Sequence, residues 1–314
     1  MSFQVFIDGE AGTTGLKVAA RLQNHPHVKL LHIDDAHRKD RDARLQMMHD
    51  SDITILCLPD DAAIDAAALA AGDASIRLID ASTAHRVHAD WVYGFAEMRP
   101  EQRALIAESA RISNPGCYPT GFLALAKPLI ASGALAADSR LIVPAVSGYS
   151  GGGKAMIGQH DDGLLAAQFS YGTGLAHKHI AEMTHYAGLH TAPIFMPSVG
   201  NFYAGMLVHL PLHADQFSKT MSADSLYQLY ADWYSAASMV RMGASCANDA
   251  ETPKMLAADA LADTDSMEIF VFSDADERQF WLVARLDNLG KGASGAAVQN
   301  MNIALGIDES ISLV

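Results

Sequence analysis

The sequence predicts an α/β fold in two parts, a doubly wound N-terminal unit followed by an α+β unit. Three observations carry that expectation. Apolar strand-like runs alternate with helical stretches through the first third of the chain, and later strand-like runs lose that rhythm. The length of 314 residues also suits about two domains at roughly 100–200 residues each.

Taken in order, FQVFID at 3–8 ends at a glycine, and LKVAARLQ at 16–23 sets Leu16, Val18, Ala19 and Leu22 at helical spacing. VKLLHID at 28–34, ITILCLP at 53–59 and RLIDAS at 77–82 read as strands, with a helix over 61–71. Strands this apolar are buried on both faces, as in a parallel sheet flanked by helices. LIVPAVSGYS at 141–150, IFMPSVG at 194–200, GMLVHLPL at 205–212, MEIFVFSD at 267–274 and FWLVARLDN at 280–288 are again strand-like. Helices near 178–190 and 222–237 connect them irregularly, which predicts a mixed or antiparallel sheet. The tail, GASGAAVQNMNIALGI at 292–307, reads as a helix that folds back onto the first domain.

Composition narrows the function classes. Half the residues are apolar and 18% are charged, an ordinary globular balance. Lys plus Arg number 22 against 36 Asp plus Glu, so 22 − 36 = −14 and no basic surface awaits a phosphate backbone. Every apolar run is interrupted well short of the about 18 residues that span a bilayer. The start, MSFQVFIDGE, lacks the basic region of a secretory signal. Three cysteines, Cys57, Cys117 and Cys246, cannot build a disulfide framework, so a cytoplasmic protein with reduced thiols is expected, binding neither nucleic acid nor membrane.

GEAGTTG at 9–15 follows the first strand directly. Gly9, Gly12 and Gly15 allow a tight turn and close backbone approach, and the amides of the following helix start attract a pyrophosphate. Thr13 and Thr14 add hydroxyl donors. A ligand-free glycine turn is the bland alternative, but the strand–turn–helix context favours a dinucleotide. At the end of the second strand Asp34 and Asp35 suit the ribose hydroxyl of NAD, whereas His37, Arg38 and Lys39 suit the 2′-phosphate of NADP. The residues alone leave that choice open.

SNPGCYPT at 113–120 holds the sharpest chemical candidate. Cys117 follows an Asn-Pro-Gly turn and precedes a helical run, and Pro119 suits a helix's first turn. The positive end of a helix favours a thiolate nucleophile. Cys57, within an apolar strand, reads instead as an inert core residue, and Cys246 has no helix start beside it. HKHIAEM at 177–183 offers His177 and His179 as a proton partner. A metal is not expected there, because no third ligand is suitably spaced and residues two apart on a helix do not share a face.

GEAGTTG, DASTAHR (80–86), YGFAEM (93–98), SNPGCYPT, SGYSGGGK (147–154), HKHIAEM, PSVGNFYAGM (197–206) and DNLGKGASGAAVQNMN (287–302) run in order across nearly the whole chain. Together they resemble the N-acetyl-γ-glutamyl-phosphate reductases, particularly their shorter type, within a wider group that includes aspartate-semialdehyde and glyceraldehyde-3-phosphate dehydrogenases. DASTAHR departs from the commoner DLSADFR, and HKHIAEM from a TPEI ending.

The resemblance implies a Rossmann-like NADP-binding domain at 1–116 plus 294–314, and an α+β catalytic and subunit-contact domain of the semialdehyde/glyceraldehyde-3-phosphate dehydrogenase type at 117–293. It implies NADPH-dependent reduction of an acyl phosphate to an aldehyde, with release of phosphate, through a thioester on Cys117 with His179 preferred over His177 as acid/base. It implies a homo-oligomer, either dimer or tetramer. Arg86, Ser147, Gly148 and Lys154 are expected near substrate or phosphate. Ser82, Thr83, Arg38 and Asn288 are expected near the cofactor, with Gly290 and Gly292 on its nicotinamide side. An aspartate-semialdehyde dehydrogenase and a non-catalytic NADP-binding protein are the alternatives.

Overall fold

The computed structural model describes residues 2–243 and 253–314, and Cys246 lies outside the described residues. The chain divides into two units, Met1–Pro115 with Ala293–Val314, and Gly116–Gly292.

In the first unit six parallel strands form one sheet: β1 (Phe3–Asp8), β2 (Val28–Leu31), β3 (Ile53–Leu56), β4 (Leu78–Asp80), β5 (Val92–Tyr93) and β6 (Arg111–Ser113). Their spatial order is β2-β1-β3-β4-β6-β5. Between them run α1 (Thr13–Leu22), α2 (Arg41–Asp50), α3 (Asp60–Leu69) and α4 (Gln102–Glu108). Alternation along β1 shows why the sheet is covered twice. Val5 and Ile7 join Val18, Ile106, Val298 and Met301 on one face, while Phe6 joins Met48, Leu56 and Ala66 on the other. Each face therefore removes its own apolar surface from water. The order reverses at β1, where neighbouring strands leave a crevice at their carboxyl ends.

The C-terminal helix, Gly295–Ala304, is buried at nine of its ten positions. Its Asn300 donates to Gly94 O (2.8 Å) and Asn114 Oδ1 (3.1 Å). Beyond it, Glu309 accepts two bonds from Arg103, each 2.9 Å, and one from Gln299. The chain's last residues are thus tied to its first 115.

The second unit holds a seven-stranded mixed sheet. Its strands are β7 (Ile142–Gly148), β8 (Gln168–Ser170), β9 (Ile194–Gly200), β10 (Met206–His213), β11 (Val240–Met242), β12 (Met267–Ser273) and β13 (Gln279–Leu286). Spatially they run β11-β12-β13-β10-β7-β9-β8, with parallel pairs at β11–β12 and β7–β9. Among the described residues the helices α5 (Cys117–Ala131), α6 (Gly153–Asp161), α7 (His179–Ala187) and α8 (Ala223–Trp233) accompany them.

Helices α5 and α8 cover one face of this sheet. The hydroxyls of Tyr230 and Tyr234 donate to the α5 carbonyls of Leu125 and Ala124 at 2.5 and 2.8 Å. On the opposite face Phe272, Trp281 and Pro211 lie in register, as do Ile142 with Ile194 and Pro144 with Met196. Ile142, Ile194, Met196 and Trp281 are 43–52% exposed there, an open apolar surface.

Candidate active site

The first unit contributes the glycine turn. Gly9 has φ +90°, and a Cβ there would meet Cys57 O at 2.4 Å; one at Gly15 would meet Gly9 O at 2.5 Å. Only glycine lets this backbone fold so closely. Gly12 N–H donates to Gly9 O at 3.0 Å and Gly12 caps α1, so Thr13, Thr14 and Gly15 form the first turn, whose amides lack intrahelical partners. The turn lies at the carboxyl end of β1, beside the reversal of strand order, and fits a bound dinucleotide's pyrophosphate.

Around it the polar side chains are already organised. Arg44 holds the buried Asp8 carboxylate through Nε (2.9 Å) and a terminal nitrogen (2.5 Å), although burial still raises the Asp8 pKa. Arg38 sits in the exposed turn before α2, 3.7 Å from Asp35. Ser82 donates to Asp80 through N–H and Oγ, each at 2.8 Å, and Thr83 binds Asp60. Arg86 is buried, its Nε donating to Asn114 O at 2.9 Å and a terminal nitrogen to Ala81 O at 3.3 Å. One pairing went unread in the sequence. His85 Nδ1 lies 2.6 Å from Asp80 Oδ2, and its ring stacks on Trp91 at 4.1 Å. Its only trace there was a histidine five residues beyond an aspartate that closes a strand.

The second unit presents Cys117 as the first residue of α5, capped by Gly116, with no acidic residue in the first turn. The helix is almost wholly buried. A Cβ at Gly292 would approach Cys117 Cβ to 2.7 Å, so glycine is what lets that segment lie against the cysteine. Tyr118 donates to Ser198 O at 3.0 Å, and burial raises its pKa. Tyr171 lies within reach of both Tyr118 and Cys117, and burial pushes its phenol up to about 12. Cys57, by contrast, is pushed up to about 12 by burial and then by the charges of Asp80 and Asp8. It is the inert thiol of the two.

The histidines separate by geometry. His177 Nδ1, two residues before α7, accepts the His179 N–H at 3.2 Å, and burial followed by the Lys178 charge lowers its pKa. His179 is buried at the first position of α7, its ring centroid 4.6 Å from that of His177 and 6.1 Å from that of Tyr118. Glu182, one turn along, is 1% exposed. Its Oε1 lies 3.9 Å from His179 Nε2, and its Oε2 accepts the Gly116 N–H at 3.1 Å. The carboxylate therefore touches both the histidine and the peptide preceding Cys117. In the sequence it was only a glutamate three places after His179, the spacing that shares a helix face.

Ser147 is buried and donates to Gly148 O at 3.2 Å, while Lys154 is exposed on α6. Asn288 accepts from Gly205 N–H (2.8 Å) and donates to Ser150 Oγ (3.0 Å), so both its amide atoms are used within its own unit. Gly290 and Gly292 follow it in a short π-helical turn. Among the described residues no group of three or more His, Cys, Asp or Glu is placed to hold a metal ion, and no helix is long and apolar enough to cross a membrane.

Residues 4–106 match the semialdehyde dehydrogenase NAD-binding domain, and residues 117–288 the semialdehyde dehydrogenase dimerisation domain. The chain is 47% identical over 311 residues to the N-acetyl-gamma-glutamyl-phosphate reductases of Brucella ovis and Brucella canis, covering 98% of this chain and 100% of each relative. Among solved structures, aspartate semialdehyde dehydrogenase II of Vibrio cholerae, complexed with ASA, superposes with TM-score 0.69 at 16% identity, covering 98% of this chain and 99% of that one. Aspartate semialdehyde dehydrogenase with NADP from Candida albicans gives 0.68 at 13%, covering 96% and 98%. Those two likenesses concern the fold alone.

Proposed function

We propose, for a chain that belongs to the N-acetyl-γ-glutamyl-phosphate reductase family of semialdehyde dehydrogenases, that it reduces N-acetyl-γ-glutamyl phosphate to N-acetylglutamate 5-semialdehyde and phosphate, with NADPH as reductant and Cys117 as nucleophile. The observation that carries this reading is Cys117 at the first position of a buried fifteen-residue helix, on a chain 47% identical to the named reductases over nearly its full length.

Cys117 Sγ attacks the acyl carbon, the bond to the phosphate oxygen breaks, and a thioester remains on the enzyme. When bound, the dinucleotide supplies the hydride that reduces this thioester. His179 donates its proton to the resulting oxyanion, which the first amides of α5 also stabilise. As His179 takes the proton back, the carbon–sulfur bond breaks, freeing the aldehyde and restoring the thiolate and imidazolium. His177, with Nδ1 engaged as an acceptor, shapes the start of α7.

Gly9, Gly12, Thr13, Thr14 and Gly15 would hold the pyrophosphate, with Ser82 and Thr83 on the same carboxyl edge of the sheet. Ser147, Gly148 and Lys154, together with Arg86, are assigned to the substrate's anionic groups, since arginine suits planar anions. Asn288, expected near the cofactor, fixes the Gly205 and Ser150 loops of its own unit.

Arg38 supports NADP over NAD. Its exposed pairing with Asp35 is worth little, so it is free to turn toward a 2′-phosphate. The test is phosphate-dependent reduction of NADP and of NAD with N-acetylglutamate 5-semialdehyde, compared with aspartate semialdehyde. Arg38→Ala is expected to weaken NADP by about 1.5–3 kcal/mol and leave NAD unchanged. Equal loss for both cofactors removes Arg38 from the site, and preference for aspartate semialdehyde transfers the chain to the alternative activity.

The oligomer we propose is a homodimer formed across the open sheet face bearing Ile142, Ile194, Met196 and Trp281. The dimerisation-domain match spans all four residues. Sedimentation should return twice the chain mass of 33.5 kDa, falling to one copy on Trp281→Asp. A wild type that sediments as a monomer at micromolar concentration excludes this.

A further inference from the structure

Glu182 stands outside the reaction as written, yet it touches two of its parts. It is 1% exposed, one carboxylate oxygen accepts the Gly116 N–H at 3.1 Å, and the other faces His179 Nε2 at 3.9 Å. Gly116 is the cap of α5 and covalently precedes Cys117. From the role given to His179 above, we infer that Glu182 is a positioning residue that keeps His179 protonated at neutral pH and fixes its ring relative to the nucleophile's helix.

The physical case has two parts. A carboxylate about 4 Å from an imidazole, both shielded from water, favours the charged ring, and such partners move a titration by about one to three units. The same carboxylate takes a main-chain amide at the positive end of α5, which stabilises its own charge. Helix α7 and the helix that carries the thiol are thereby held through one rigid side chain. Other groups facing His179 do not replace it. The Tyr118 ring on α5 and the His177 ring of the preceding loop face His179, with Cys117, Tyr171 and Lys178 lying next to those two. The Cys117 sulfur is consumed whenever the thioester forms. Glu182 keeps its place beside His179 through the acylated stage.

The test follows the ring of His179 by NMR in Cys117→Ser protein, where no thiolate contributes, with the signal assigned by its loss in His179→Asn. Glu182→Gln keeps an oxygen for Gly116 N–H but removes the charge. The pH at which His179 releases its proton is expected to fall by about one to three units, and the alkaline limb of kcat for acyl-phosphate reduction by the otherwise wild-type enzyme falls with it. Glu182→Asp, charged but shorter, should restore much of the midpoint while kcat stays depressed. A midpoint unchanged within about 0.3 unit in Glu182→Gln, far below the expected range, overturns the inference and leaves Glu182 as a helix cap. Should Glu182→Gln fail to fold, a Glu182→Asp midpoint equal to that of Glu182→Ala overturns it likewise. The NMR midpoint needs no turnover. Activity surviving Cys117→Ser or His179→Asn would instead count against the catalytic reading.

Discussion

Cys117→Ser is expected to abolish acyl-phosphate reduction while NADP affinity stays near that of the parent. The two halves of this expectation rest on different parts of the chain. A serine hydroxyl at the start of α5 has no thiolate form at neutral pH, and an alkoxide is not reached there, so the covalent step disappears. The glycine turn that fits the dinucleotide belongs to residues 9–15, and nothing in it depends on sulfur. The measurement pairs steady-state turnover with cofactor titration by fluorescence. A residual rate within about tenfold of the parent corresponds to only about 1.4 kcal/mol of barrier and would mean another group is the nucleophile.

His179→Asn carries the second large effect. Turnover should fall by about 10²–10⁴-fold, the usual contribution of a positioned acid/base, and alkylation of Cys117 by iodoacetamide should move to higher pH because the neighbouring cation is gone. His177→Asn is the control. Its Nδ1 accepts the His179 N–H, a bond that an asparagine oxygen can reproduce. The pH profile of inactivation, read on all three proteins, separates the cases. If His177→Asn moves the profile and His179→Asn does not, the roles are reversed; if neither moves it, the helix end alone activates the thiol. Cys57 should stay unlabelled near neutral pH, since its thiol is pushed up to about 12.

Which parts of this were legible in the sequence follows from how local their causes are. The glycine turn, the start of α5 and the long strands each announce themselves within a dozen residues through turn chemistry or continuous apolar runs. Helix α2 was not foreseen, because only Met48 of its ten residues is buried and no apolar stripe results. Helix α6 buries none of its residues and gave no stripe at all. The site divides the same way. Cys117 and the histidine pair could be picked out by type and spacing, but the choice between His177 and His179 turns on a ring nitrogen that accepts a neighbour's amide. Glu182 meets a peptide 66 residues away in the chain, and no short window contains both. Arg86 was read as an anion ligand; the fold adds that it ties Asn114 O and Ala81 O, a use of arginine that spacing does not report.

The discontinuity of the first unit bears on how the chain is made. Ribosomes deliver residues in order, so Val5, Ile7, Val18 and Ile106 emerge long before Val298 and Met301, with which they share one face of the sheet. Until residues 295–304 have left the ribosome, that face lacks one of its covering helices, whereas the second unit is complete at Gly292 and can close first. The half that is translated first is therefore finished last, by contacts of high sequence separation, which form slowly and leave apolar surface open to association meanwhile. The Arg103–Glu309 pair is among the final bonds to form. Losing residues 295–314 would strip the newborn first unit of one wall of its interior.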